Sequence, residues 1–176
     1  MPCGERSLKG RAAHRIERLA PSISELRLDT RGLDILGASV AGQGGRVPAP
    51  CTLGPSDPIL GAALTVTLPP GADAVEIEYA TRPGASGLQW LTAAQTAGKE
   101  HPFLFSQSQA IHARSWIPIQ DTPRVRITYE ATLRTPPDLL AAMSASGNST
   151  GPRGGVYRFS RPQPIPAYLL AIAAGD

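Results

Sequence analysis

Period-two alternation of apolar and polar side chains dominates the chain. Ala63–Leu68 sets Leu64, Val66 and Leu68 against Thr65 and Thr67. Val75–Tyr79 sets Val75, Ile77 and Tyr79 against Glu76 and Glu78. In Arg124–Arg134, Val125, Ile127, Tyr129, Ala131 and Leu133 alternate with Arg126, Thr128, Glu130 and Thr132. Successive strand side chains point to opposite faces, so each segment predicts a half-buried strand. Shorter strands are predicted at Glu25–Leu28, Leu33–Leu36, Val156–Phe159 and Tyr168–Ile172, with another through His14–Leu19. Asp138–Ala145 fits a short helix capped by Asp138 or a strand. The preceding strand and Pro136 favour a strand in a meander.

Turn chemistry separates these segments. Pro69-Pro70-Gly71, Arg82-Pro83-Gly84, Pro136-Pro137-Asp138 and Gly151-Pro152 punctuate the pattern. Many short strands with Gly/Pro turns argue an all-β fold, a β-sandwich of mostly antiparallel strands with long loops. Two stretches resist the strand pattern. Gly42–Pro58, rich in Gly and Pro, reads as a loop. Thr92–Ile119 is long and aperiodic, yet it holds His101, Phe103, Phe105, His112 and Trp116, with Trp90 just before it. A long aromatic loop of this kind is where function is sought.

Composition sharpens the fold class. Proline supplies 18 of 176 residues, about double the usual share of roughly 5%, and is spread along the chain, which excludes a helical bundle. No apolar run approaches the roughly 20 residues of a membrane helix. The net charge of +3 is local. Residues 1–18 carry five basic and two acidic side chains, and the other 158 residues balance at 12 of each sign. A nucleic-acid partner needs a clustered basic face, so neither nucleic acid nor membrane is expected as a partner. Cys3 and Cys51 are too few for a disulfide framework. No apolar region follows the N-terminal basic residues, so no secretory signal is legible and a cytoplasmic location is expected.

Self-contained catalytic motifs do not emerge. His14, His101 and His112 lack the i, i+4 spacing of a helical zinc pair, and no cysteine pair has zinc-ribbon spacing. There is no GxSxG elbow. Gly42, Gly44 and Gly45 do not complete a dinucleotide loop, because position 47 is Val and no βαβ unit surrounds them. Asn148-Ser149-Thr150 matches a glycosylation sequon that needs a secretory route.

Gly87–Pro123 carries the specific signal. It reads GLQWLTAAQTAGKEHPFLFSQSQAIHARSWIPIQDTP. This block closely resembles the N-terminal domain of zinc aminopeptidases of the leukotriene-A(4) hydrolase type. The likeness extends to SELRLDTRGLDI at Ser24–Ile35 and SRPQPIPAYLLAIAAG at Ser160–Gly175, with LKGRAAHRIERL at Leu8–Leu19 resembling that domain's second strand. The resemblance implies a saddle-like β-domain over 8–176, its first strand missing before Leu8, and a disordered tail over 1–7. It further implies a thermolysin-like catalytic domain as partner, carrying HExxH, a distant Glu ligand and GxMEN. This chain has none of these motifs, so zinc is expected there and no cofactor here.

In such enzymes the SQ-QAIH segment lines the substrate cleft, and its second Gln helps hold the free α-amino group of the peptide. The resemblance places that role on Gln109, with Gln107 and Ala110 beside it. An amide oxygen can accept from an ammonium without the cost of burying another carboxylate. The expected function is a non-catalytic cleft and support domain of an enzyme that removes N-terminal residues from peptides. The rival reading is a stand-alone β-sandwich binding or scaffold module.

Overall fold

In a computed structural model, residues 6–42, 45–150 and 152–176 are described. Cys3, most of the expected N-terminal tail, Gly44 and the Gly151 half of one expected turn lie outside them. The chain divides into two compact units: Ser7–Ala85 with Arg114–Gln120, and Ser86–Ala113 with Asp121–Asp176. Every strand pairing in both is antiparallel. The fold is all-β.

The N-terminal unit is a two-sheet sandwich. One sheet has the order β1 (Lys9–Arg15), β7 (Ala74–Thr81), β3 (Leu33–Gly42), β4 (Gly45–Pro48). The other has the order β2 (Glu25–Thr30), β6 (Ala62–Thr67), β5 (Cys51–Leu53). The alternation read in the sequence is the cause. Leu64 and Val66 on β6 and Val75, Ile77 and Tyr79 on β7 turn inward and meet Leu26, Leu28, Leu33 and Val40 in one core. Each fully buried aliphatic side chain contributes about 1.5–3 kcal/mol. Two turns form as their residues require. Gly71 and Gly84 adopt φ of 76° and 85°, and each turn closes by an N–H to carbonyl bond, Ala72 to Pro69 and Ala85 to Arg82.

Several elements differ from expectation. The strand predicted at Leu33–Leu36 continues to Gly42, because a bulge between Ile35 and Gly37 shifts the alternation by one residue. Leu33 and Ile35 face the core before it, Ala38 and Val40 after it, and Leu36 is left 65% exposed. Gly42–Pro58 is not simply a loop: it holds β4 and β5, edge strands with little or no burial and hence no alternation to read. The strand expected at His14–Leu19 is the earlier β1. It ends at Arg15, and beyond it Arg18 donates its guanidinium hydrogens to the carbonyls of Ile23, Pro69 and Ala72.

The C-terminal unit also pairs two sheets. One has the order β11 (Leu140–Met143), β14 (Ile172–Gly175), β9 (Phe103–Ser106), β8 (Leu88–Leu91). The other has the order β10 (Arg126–Arg134), β13 (Val156–Pro166), β12 (Ser146–Gly147). Ala141, Tyr157 and Phe159 form its core with Ala131, Leu133, Leu140 and Met143 around them. Asp138–Ala145 contains strand β11, not a helix. The strand expected at Tyr168–Ile172 is displaced: β13 runs to Pro166, a 3-10 turn occupies Ala167–Leu169, and β14 begins at Ile172. The first residues of that apolar run are spent reversing the chain between sheets. Thr92–Ile119 carries β9 and two 3-10 turns, Ala93–Gln95 and Ala113–Ser115, so it is partly regular.

Candidate substrate-cleft loop

The Gly87–Pro123 block builds a hairpin and two tight loops. β8 and β9 pair through Leu88↔Ser106 to Leu91↔Phe103. Between them, the Gln95 side-chain oxygen accepts from the Thr92 N–H at 2.9 Å, and the Thr96 hydroxyl lies 2.8 Å from the Ala93 carbonyl. Local side-chain bonds of this kind replace ladder bonds and hold a turn-rich segment in one shape.

The candidate residues follow β9. Gln107 is exposed, and its N–H donates to the Gly87 carbonyl at 2.9 Å. Its side-chain oxygen accepts from the Gln109 N–H at 3.1 Å. Gln109 and Ala110 are exposed, and the peptide between them is cis. The structure thus brings Gln107, Gln109 and Ala110 together on one short exposed loop. None of the three side chains ionises, so the loop can bind and orient a ligand by hydrogen bonds but cannot carry protons.

The residues between and around them hold the loop. Ser108 is buried, and its hydroxyl donates to the Leu170 carbonyl at 2.7 Å. Ser106 Oγ accepts from the Ile172 N–H at 2.9 Å. The His112 N–H donates to the Ser108 carbonyl, and His112 Nδ1 lies 2.8 Å from Ser86 Oγ. Two serines therefore tie the loop to Leu170 and to Ile172 at the start of β14, and His112 ties its far end to Ser86. Ser86, Ser106 and Ser108 give no signal in the sequence, because the partner of each lies between 26 and 66 residues away.

The other candidate features resolve as structure. Trp116 is buried in the N-terminal unit. Phe103 and Phe105 lie 6.1 Å apart between ring centroids on β9. Asn148, in the sequon, accepts from the Arg158 N–H at 2.6 Å and so is committed to β13. Among the basic residues near the N-terminus, Arg11 pairs with Glu78 and Arg18 holds three carbonyls. His14 is neighboured by a Pro118 carbonyl, and burial lowers its pKa below the ordinary value of 6.5. Among the described residues, no three His, Cys, Asp or Glu side chains gather to hold a metal ion.

The family profile described as the Peptidase M1 N-terminal domain matches residues 3–169. The chain belongs to this family. As an M1 N-terminal domain it is 43% identical to leukotriene A-4 hydrolase of Xenopus laevis over 171 residues, covering 91% of this chain and 27% of that protein. It is 40% identical to leucine aminopeptidase 2 of Emericella nidulans, covering 98% of this chain and 29% of the relative. The solved leukotriene A-4 hydrolase of yeast, in complex with Bestatin, superposes with a TM-score of 0.87 at 33% identity, over 98% of this chain and 26% of that one. An M1 zinc metallopeptidase variant of Deinococcus radiodurans gives 0.71 at 26% identity, over 98% and 38%. This M1 N-terminal domain thus spans under a third of the length of the curated relatives it matches.

Proposed function

We propose that this chain is the non-catalytic N-terminal domain of a zinc aminopeptidase, forming one wall of the substrate cleft and supporting a thermolysin-like catalytic domain. The whole enzyme removes N-terminal residues from peptides. In this reading the Gln109 side-chain oxygen accepts a hydrogen bond from the α-ammonium of the peptide, and Gln107 and Ala110 shape the loop beside it. Zinc belongs to the catalytic domain, and no step in this chain passes through it. Among the described residues Cys51 is a free thiol, which suits a reducing, cytoplasmic setting.

One observation carries the assignment to Gln109: an exposed, uncharged loop whose flanks are fixed by Ser106, Ser108 and His112. A hydrogen-bonding group repays its cost only if it is held in place before the ligand arrives. Kinetics of the longest polypeptide encoded by the gene test it. Losing a hydrogen bond to a charged group costs about 1.5–3 kcal/mol, so Gln109→Ala should lower kcat/KM for aminoacyl amides about ten- to a hundred-fold. Gln109→Glu should retain more activity than Gln109→Ala. Equal kcat/KM in Gln109→Ala and the parent would remove Gln109 from the site.

A further inference from the structure

The inward face of β13 runs Tyr157, Phe159, Arg161. The first two are core residues. The third is a half-buried arginine on the same face. It sits where the ladder with β10 loses register: Tyr129 pairs with Arg161, but Ile127 pairs with Ile165, so Pro162 and Pro164 fall in the excess length of β13. Such irregularities re-aim a side chain at the rim of a sheet.

Arg161 is short of an acceptor among the described residues. Its Nε is shut off from solvent, and no group among the described residues accepts its hydrogen. None of the ion pairs found among the described residues involves it. A guanidinium cannot escape this by losing its proton, and a buried charged donor without an acceptor is costly.

Its neighbours add a donor. Tyr129 stands opposite Arg161 on the ladder, and its hydroxyl lies 3.0 Å from Ser144 Oγ. Ser144 Oγ also accepts from the Ala171 N–H at 2.9 Å. The two hydroxyls own two hydrogens, and their mutual bond consumes one, which leaves one free to donate. Burial raises the Tyr129 pKa, while the Ser144 bond and the Arg161 charge act the other way, so the phenol is protonated at neutral pH. The cluster offers one positive charge, guanidinium N–H groups and a spare O–H. Its complement is an acceptor-only anion with two oxygens.

We propose that Arg161, with the Tyr129–Ser144 hydroxyl pair, forms a carboxylate-binding site at the rim of the C-terminal unit. Its ligand is either the C-terminal carboxylate of a peptide or an Asp or Glu side chain from another segment. This site does not rest on the aminopeptidase reading.

Acetate is the probe, titrated into the isotope-labelled chain with chloride at matched ionic strength as control. The Arg161 Nε–H and Ala171 amide resonances should move and saturate with acetate and not with chloride. The Ala171 response should vanish in Arg161→Gln. In Arg161→Lys, which keeps the charge but loses the fork, affinity should fall several-fold, and this second variant keeps the test decisive should Arg161→Gln not fold. No saturable shift in the parent, an equal response to chloride, or an undiminished Ala171 response in Arg161→Gln would overturn the site. N-acetyl-alanine against N-acetyl-glutamate α-amide then separates the sources. Tighter binding of the first supports a peptide terminus, tighter binding of the second supports an acidic side chain, and binding of neither contradicts the proposal.

Discussion

Gly61 closes a loop with Asp57 by two backbone hydrogen bonds, at φ of 79°. A Cβ there would lie 2.1 Å from the Thr30 carbonyl oxygen, a backbone atom that cannot step aside. Gly61→Ala should therefore destabilise the chain by about 2 kcal/mol or more, read from urea denaturation. Ser108 is the matching case at the candidate loop. Ser108→Ala leaves the Leu170 carbonyl without its buried donor and should cost about 1–3 kcal/mol. Because the His112 N–H is bonded to the Ser108 carbonyl, its hydrogen exchange should quicken in that variant. Unchanged exchange would show that the serine does not hold the loop. His14 gives a pH signature. Its folded pKa lies below 6.5, so the unfolded chain binds the proton more readily. The associated stability is fully present above pH 6.5 and is lost as pH falls from there towards the folded value. Denaturation at pH 7.5 and 5.5 should show that loss, and His14→Gln should flatten it.

At the scale of elements, legibility followed burial. β6, β7 and β10 were plain in the sequence because one face of each packs and the other meets solvent. β4 is exposed along its whole length and β5 along most of it, so no periodic signal marked them. β3 looked half its length because a bulge hides the change of phase. That gives a paired prediction. Val40→Ala, on the core side after the bulge, removes two buried methyl groups and should cost about 2 kcal/mol. Leu36→Ala, at the bulge, should change stability by less than about 0.5 kcal/mol. Equal costs would contradict the change of phase at the bulge. The loop of Gln107, Gln109 and Ala110 was legible only through the resemblance of its surrounding block. The bonds that hold it join Ser108 to Leu170 and Ser86 to His112, and nothing in local spacing announces such pairs. Arg161 was hidden too, since its position in β13 falls beyond the clean alternation that ends at Phe159.

At the scale of the whole molecule, the N-terminal unit exposes Leu36, Val47, Leu53, Ile59 and Leu60. The relatives extend well beyond the length matched here, and apolar side chains of this size in water favour association. Sedimentation velocity should show concentration-dependent self-association, with binding of a hydrophobic dye. A monodisperse monomer that binds no dye would favour a self-sufficient binding module. The assignment as a cleft wall meets its most direct test in the purified 176-residue chain, supplied with zinc and a chromogenic leucine amide. The expected result is no release above the buffer blank, because the role proposed for the loop around Gln109 is only to orient a ligand, and Gln107, Gln109 and Ala110 carry no group that moves protons. Zinc-dependent turnover that disappears in Gln109→Ala would contradict a non-catalytic role and place the reaction in this chain.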